Sequence, residues 1–165
     1  MKKVIYILLA AFIVGCLSYP VSAKLNRIYV IVNMDDAPVE IIAFSKYKYE
    51  EENYISSVIE YRNITNRDIE ALAITMIYYD AFNEKEDGVR GIATDLMGAG
   101  KGYKGTWSTY GEPNFVKTAM AFVNAVRFVD GEIWKADRQE VIEVASKMPE
   151  LYFLSKTEML EVEKK

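Results

Sequence analysis

The chain has no histidine, a single cysteine (Cys16), four prolines and nine glycines among 165 residues. Without histidine there is no Ser-His-Asp triad, no Cys-His pair and no His-ligated zinc. One cysteine excludes an intrachain disulfide and a Cys-x-x-Cys pair. Basic residues are in the minority, 20 Lys and Arg against 24 Asp and Glu, and they form no cluster that would hold a phosphate backbone. Apolar runs are short. The longest, Val4 to Leu17, is fourteen residues, below the roughly twenty that a spanning helix needs. No internal repeat and no Pro/Ser-rich linker is visible, so one folded domain is expected over residues 24–165.

What is present is a globular composition, 51% hydrophobic and 27% charged. Aromatic residues make up 13%, and 12 of them are Tyr. Residues 1–23 have the layout of an export signal: Lys2 and Lys3, the apolar run, then the small-residue site Val21-Ser22-Ala23 before Lys24. A second reading competes there. Ile13-Val14-Gly15-Cys16 resembles the bacterial lipobox, in which the Cys thiol receives a diacylglycerol. Lipidation at Cys16, plain cleavage after Ala23 and an uncleaved anchor all stay open. The signal holds two of the basic residues and none of the acidic ones, which leaves 18 against 24 and a net charge of −6. Such a surface repels nucleic acid and anionic headgroups. The expected location is the periplasm or cell envelope.

The exported part reads as short strands broken by polar turns. Strands are expected over Arg27–Asn33, Val39–Tyr49, Tyr54–Asn63, Ile69–Tyr79 and Thr118–Val129. In the third, Ile55, Ser57, Ile59 and Tyr61 form the better core face. The fourth is apolar on both faces, as for a central or doubly covered strand. Asn83 to Gly88 reads as a polar turn, and Gly98 to Gly105 as a flexible inter-strand loop. Asp130-Gly131 signals a two-residue type I′ hairpin leading into Glu132–Lys135. Asp137 begins a helix near 138–148 as its N-cap, and Pro149 stops it. The tail after Glu150 is left as a final strand or a second helix. The fold class expected is mostly β, an antiparallel sandwich with one short C-terminal helix.

Two segments carry a family resemblance. Glu60-Tyr61-Arg62-Asn63-Ile64-Thr65-Asn66-Arg67-Asp68-Ile69 is followed by Ala73 to Asn83, with Met76-Ile77-Tyr78-Tyr79-Asp80 at the signature position. This resembles the bacterial FxLYD-type domain, an immunoglobulin-like sandwich of envelope proteins, and matches it at the Tyr-Asp pair. The resemblance covers about residues 38–135 and implies the fold. It carries over no catalytic residue.

The conspicuous candidate site is Gly98-Ala99-Gly100-Lys101-Gly102-Tyr103-Lys104-Gly105, followed by Trp107 and Tyr110. Backbone N–H groups between glycines can cradle an anion, but no Ser or Thr follows either Lys, as a P-loop requires. Aromatics beside a lysine-bearing loop suit a glycan or a protein partner. Gly98, Gly100, Lys101, Gly102, Tyr103, Trp107 and Tyr110 are therefore the candidate binding residues. Deleting Gly98 to Gly102 is expected to leave the domain folded and to abolish binding. The acidic turn Asp80, Asn83, Glu84, Glu86 and Asp87 lacks EF-hand spacing, and the Asn63-Ile64-Thr65 sequon is read as a turn. No metal and no cofactor is expected. The leading function is a non-catalytic envelope module that binds or scaffolds a protein or glycan, touching the membrane only through an anchor at Cys16. The alternative is a carboxylate-dependent hydrolase of envelope polysaccharide.

Overall fold

The computed structural model describes residues 27–47, 54–110 and 116–153. Among the described residues eight strands run in the order β1 (Ile28–Val32), β2 (Val39–Tyr47), β3 (Tyr54–Asn63), β4 (Ile69–Tyr79), β5 (Lys85–Ala93), β6 (Gly102–Tyr110), β7 (Thr118–Phe128) and β8 (Ile133–Lys135). One helix, α1 (Arg138–Ser146), and a 3₁₀ turn, Pro149–Leu151, follow. The strands form two sheets. One has the order β1-β7-β4-β5 with β8 added on β7; the other is β2-β3-β6.

The fully antiparallel arrangement needs correction in one pairing. β1 runs parallel to β7, from Ile28 opposite Thr118 to Val32 opposite Phe122. The chain leaves the first sheet after β1 and returns to it as β4 and β5, then again as β7. So long a connection permits a parallel pair, which a hairpin cannot make. All other ladders are antiparallel.

Alternation places Ile41, Phe44, Ile55, Ile59 and Tyr61 of the small sheet against Leu72, Ile74, Met76, Tyr78, Val123 and Val126 of the large one, in a single buried cluster. Inside it the Ser57 and Tyr78 hydroxyls share a 2.7 Å hydrogen bond. The core face read for residues 54–63 is the buried one. The both-face apolarity of β4 has its cause as well. β4 lies between β7 and β5, and its outer residues Ile77 and Tyr79 join a second cluster with Val30, Met120, Val141, Ile142, Ala145 and Leu151. The helix thus forms a third layer. Asp137 caps it, its Oδ1 accepting from the Gln139 and Glu140 N–H groups at 2.7 and 3.2 Å. Pro149 opens the 3₁₀ turn, which buries Leu151 fully. The residues after Phe153, like Cys16 and residues 1–23, lie outside the described part.

Three local expectations change. Lys85–Gly88 is strand, so the turn contracts to Asp80–Glu84, where the Asp80 carboxylate accepts from the Phe82 and Glu84 N–H groups at 2.8 Å each. Gly102–Gly105 is also strand. β5 and β6 are edge strands, where charge and glycine are tolerated because one ladder and one packed face suffice. The β7–β8 turn is a three-residue loop: Phe128 N–H donates to Glu132 O, Gly131 N–H donates to Phe128 O, and Gly131 has φ 91° while Asp130 keeps φ negative. That is a type I turn closed by a left-handed glycine, so Asp130 escapes the strain a type I′ turn would impose.

Candidate functional site

The β3–β4 turn organises one end of the molecule. Asn63, at the end of β3, is fully buried. Its Oδ1 accepts from the Thr65 N–H at 3.0 Å and the Thr65 hydroxyl at 2.7 Å, an Asx turn. Its Nδ2 donates to Arg67 O at 2.7 Å and reaches Met97 O and Gly98 O at 3.2 and 3.3 Å. Its backbone N–H donates to Lys101 O. A glycan would replace one Nδ2 hydrogen of this fully buried amide and has no room there, which leaves Asn63 the turn residue it was read as.

The glycine segment closes on this turn from the other side. Lys101 N–H donates to Gly98 O across a tight turn in which Gly100 takes φ 69°. Ala99 N–H donates to Asp68 Oδ1 at 3.0 Å, and Gly98 N–H donates to the Tyr103 hydroxyl at 2.7 Å. An anion cradle needs free N–H groups. Here three of them are taken, one by a carboxylate where an anion would sit. Lys104 is likewise engaged, 3.0 Å from Glu60 on the outer face of the small sheet. The flexible loop expected over 98–105 is therefore a short pinned turn followed by an edge strand. Deleting Gly98 to Gly102 would remove the Lys101 carbonyl that holds Asn63 and the start of β6, so loss of folding is now expected.

The aromatics that follow face inward. β6 alternates with Tyr103, Gly105 and Trp107 on the inner side and Lys104, Thr106 and Ser108 outside. Tyr103 stacks on Tyr61 at 6.1 Å, and Trp107 lies 6.3 Å from the same ring. Burial, reinforced by Asp95, pushes the Tyr61 phenol above its ordinary value. The Trp107 indole fills a slot between two glycines. A Cβ on Gly91 would stand 2.5–2.7 Å from the ring, and one on Gly105 would collide with it. The indole N–H points to Ile92 O at 3.4 Å. Trp107 thus plugs the gap between β5 and β6, the free edges of the two sheets, and is not a stacking platform. Gly102 has only Tyr61 O within reach of a Cβ, at 3.8 Å. Tyr110 ends β6 opposite Tyr54.

Sequence reasoning missed the groups that are exposed at this end. Leu96, just before the pinned turn, is 64% exposed, and Ile64, Val129 and Ile133 are also exposed. Three turns bring them to the same end. Ile69 and Met97 exchange backbone hydrogen bonds, and Val129 N–H donates to Asp68 O. Arg67 ties the β7–β8 hairpin to the β3–β4 turn, 2.6 Å from Asp130 and 2.8 Å from Glu132, with its guanidinium 3.8 Å over the Phe128 ring. The Glu132 N–H and the Arg67 guanidinium hold the Asp130 carboxyl below the usual carboxylate range. The signal was present as single apolar residues inside polar turns, a pattern too common to single out. Among the described residues no group of three or more Asp, Glu or Cys is placed to hold a metal ion, and no helix is long and apolar enough to cross a membrane.

No protein-family model and no curated protein matches the chain. Solved structures of similar shape exist at low identity. A hypothetical protein from Peptoclostridium difficile 630 matches at 14% identity over 65% of this chain and 90% of its own, with a TM-score of 0.49. A DUF1425 family member from Shewanella sp. pv-4 matches at 14% identity over 52% and 76%, TM-score 0.39. Campylobacter jejuni cj0090 matches at 8% identity over 58% and 98%, TM-score 0.39.

Proposed function

We propose that this protein is an exported, non-catalytic envelope module with an immunoglobulin-like domain of the FxLYD type. It binds or scaffolds an envelope protein or glycan through the end built by the β3–β4, β5–β6 and β7–β8 turns. The observation that carries this reading is the exposure of Leu96, Ile64, Val129 and Ile133 on turns that are hydrogen-bonded to one another. Apolar groups held rigidly in water lose little entropy on binding and gain burial. Of the residues chosen from sequence, Gly98, Gly100 and Lys101 remain part of this surface. Tyr103 and Trp107 support it from within.

Export rests on residues 1–23, and the anchored form on Cys16. Labelling with a fatty-acid analogue should mark the wild type and miss Cys16→Ser. An unlabelled mature protein beginning at Lys24 would remove the anchor from the proposal. For the binding end, a photo-crosslinking residue at position 96 should capture a discrete envelope component. The same residue at the surface position of Lys104, on the small sheet's outer face, should not. Equal capture from both positions would overturn the assignment of the binding end.

A further inference from the structure

The opposite end of the molecule has a different surface. Ile28, Thr118, Tyr79 and Lys85 lie abreast in the large sheet, and Lys117 N–H donates to Tyr79 O at their margin. The Ser57–Tyr78 hydrogen bond aligns the small sheet with them, which brings the start of β3, Tyr54, to the same end. The C-terminal segment arrives there too, since Phe153 packs edge-on against Tyr79 at 5.2 Å. Among the side chains that the structure describes, three aromatics are exposed: Phe82 at 83%, Tyr152 at 79% and Tyr54 at 39%. All three sit at this end, Phe82 on the turn after β4, Tyr152 beside Phe153, and Tyr54 at the mouth of β3. The exposed aliphatics of the binding end are on the far side.

This is also the end at which the chain enters the domain. β1 begins here at Ile28, directly after the 27 residues that carry the basic pair and the fourteen-residue apolar run. From Cys16 to Arg27 is eleven residues, at most about 36–40 Å of extended chain. A tether of that length lets the domain touch the bilayer, and it joins the domain at this end. Acidic residues outnumber basic ones here: Asp80, Glu84, Glu86 and Asp87 against Arg27, Lys85 and Lys117, with Glu50-Glu51-Glu52 preceding Tyr54 in the sequence. Aromatic rings suit the headgroup region of a membrane, where an apolar body and a polar tip are both satisfied, and an acidic surround directs them to zwitterionic headgroups.

We propose that Phe82, Tyr152 and Tyr54 form a membrane-facing foot that docks on the bilayer surface, so that the domain stands with its aliphatic end pointing away from it. This rests on the anchored form of the function proposed above and specifies its orientation. The interaction is interfacial and apolar, with no requirement for anionic lipid, as the acidic net charge demands.

The test uses the full chain reconstituted into phosphatidylcholine vesicles with brominated acyl chains. Flotation reads anchoring, and bromine quenching of an added tryptophan reads depth. Phe82→Trp and, separately, Tyr152→Trp should each give blue-shifted emission and lose most of it to brominated lipid. Leu96→Trp should lose none beyond the background set by Trp107 and Trp134. A chain that floats while neither foot variant is quenched overturns the docking and leaves the anchor standing. Quenching of Leu96→Trp as strong as that of Phe82→Trp overturns the orientation. A chain that neither floats nor is quenched overturns both the foot and the anchored form.

Discussion

The two ends of this domain each turn the chain with an Asx side chain, and the two turns differ in what that side chain is asked to do. At the aromatic end, Asp80 accepts two N–H groups at the surface, where water would replace it. At the aliphatic end, Asn63 is fully buried and satisfies backbone groups of two segments, its own turn and the β5–β6 turn. A hydrogen bond is worth little net when water can stand in. It is worth much more when its loss strands a buried partner. The same turn chemistry is therefore local punctuation at one end and the joint of the fold at the other.

This contrast orders the expected effects. Asn63→Ala should destabilise most, by about 2–3 kcal/mol, read from urea unfolding. Hydrogen exchange should show the loosening at Thr65, Arg67 and Ala99, and protection unchanged there would refute the joint. Gly91→Ala or Gly105→Ala should follow at about 1–3 kcal/mol, because either forces the Trp107 ring out of its slot. The shift appears in tryptophan emission, and Gly102→Ala is the silent control. Asp80→Ala should cost only about 0.5–1 kcal/mol. A loss equal to that of Asn63→Ala would erase the distinction between the ends. Least of all, Phe82→Ser and Leu96→Asp should each leave stability within about 0.5 kcal/mol while removing membrane docking and partner capture respectively.

Titration separates core from surface in the same way. Burial raises the Tyr78 phenol above its ordinary value of 10.0, although the Ser57 hydrogen bond opposes it. A raised phenol favours the neutral folded form. Its stabilisation is complete below that ordinary value and is lost as pH rises through the folded one. Alkaline unfolding should therefore begin above about pH 10 and move higher in Tyr78→Phe. Asp130 has the opposite sign. Its depressed carboxyl stabilises above its ordinary value of 3.8 and the contribution fades as pH falls below it. The group is exposed, so Arg67→Met should change the acid limb of the unfolding curve only slightly.

Much of the fold was legible because it depends on neighbours in sequence. β4 was read with its observed limits, Ile69–Tyr79, since eleven residues with apolar side chains on both faces have few alternatives. Asp137 was readable as a cap because its acceptor and the donors it serves are two and three residues apart. β5 and β6 were not legible. Lys85-Glu86-Asp87-Gly88 and Gly102-Tyr103-Lys104-Gly105 have turn composition, and only a partner strand makes them extended. The glycines misled for a specific reason. Gly105 and Gly91 are small because the Trp107 indole lies between them, and its contact with Gly91 joins residues sixteen apart. The candidate site went the same way. A Gly-rich lysine segment looks like an anion loop until Asp68 of the β3–β4 turn and Tyr103, where the same segment becomes strand, take up its N–H groups.

By itself the sequence determined what local chemistry can settle: the missing catalytic residue types, the acidic balance, the central strands, the helix and its cap. The tertiary structure alone decided the parallel β1–β7 pair, the edge strands, the burial of Asn63, the inward packing of Trp107, and the sorting of exposed aromatics to one end and exposed aliphatics to the other. The physical reason is range. Periodicity and capping act over a few residues and are written in their order, whereas burial and sheet pairing depend on which distant segment arrives alongside.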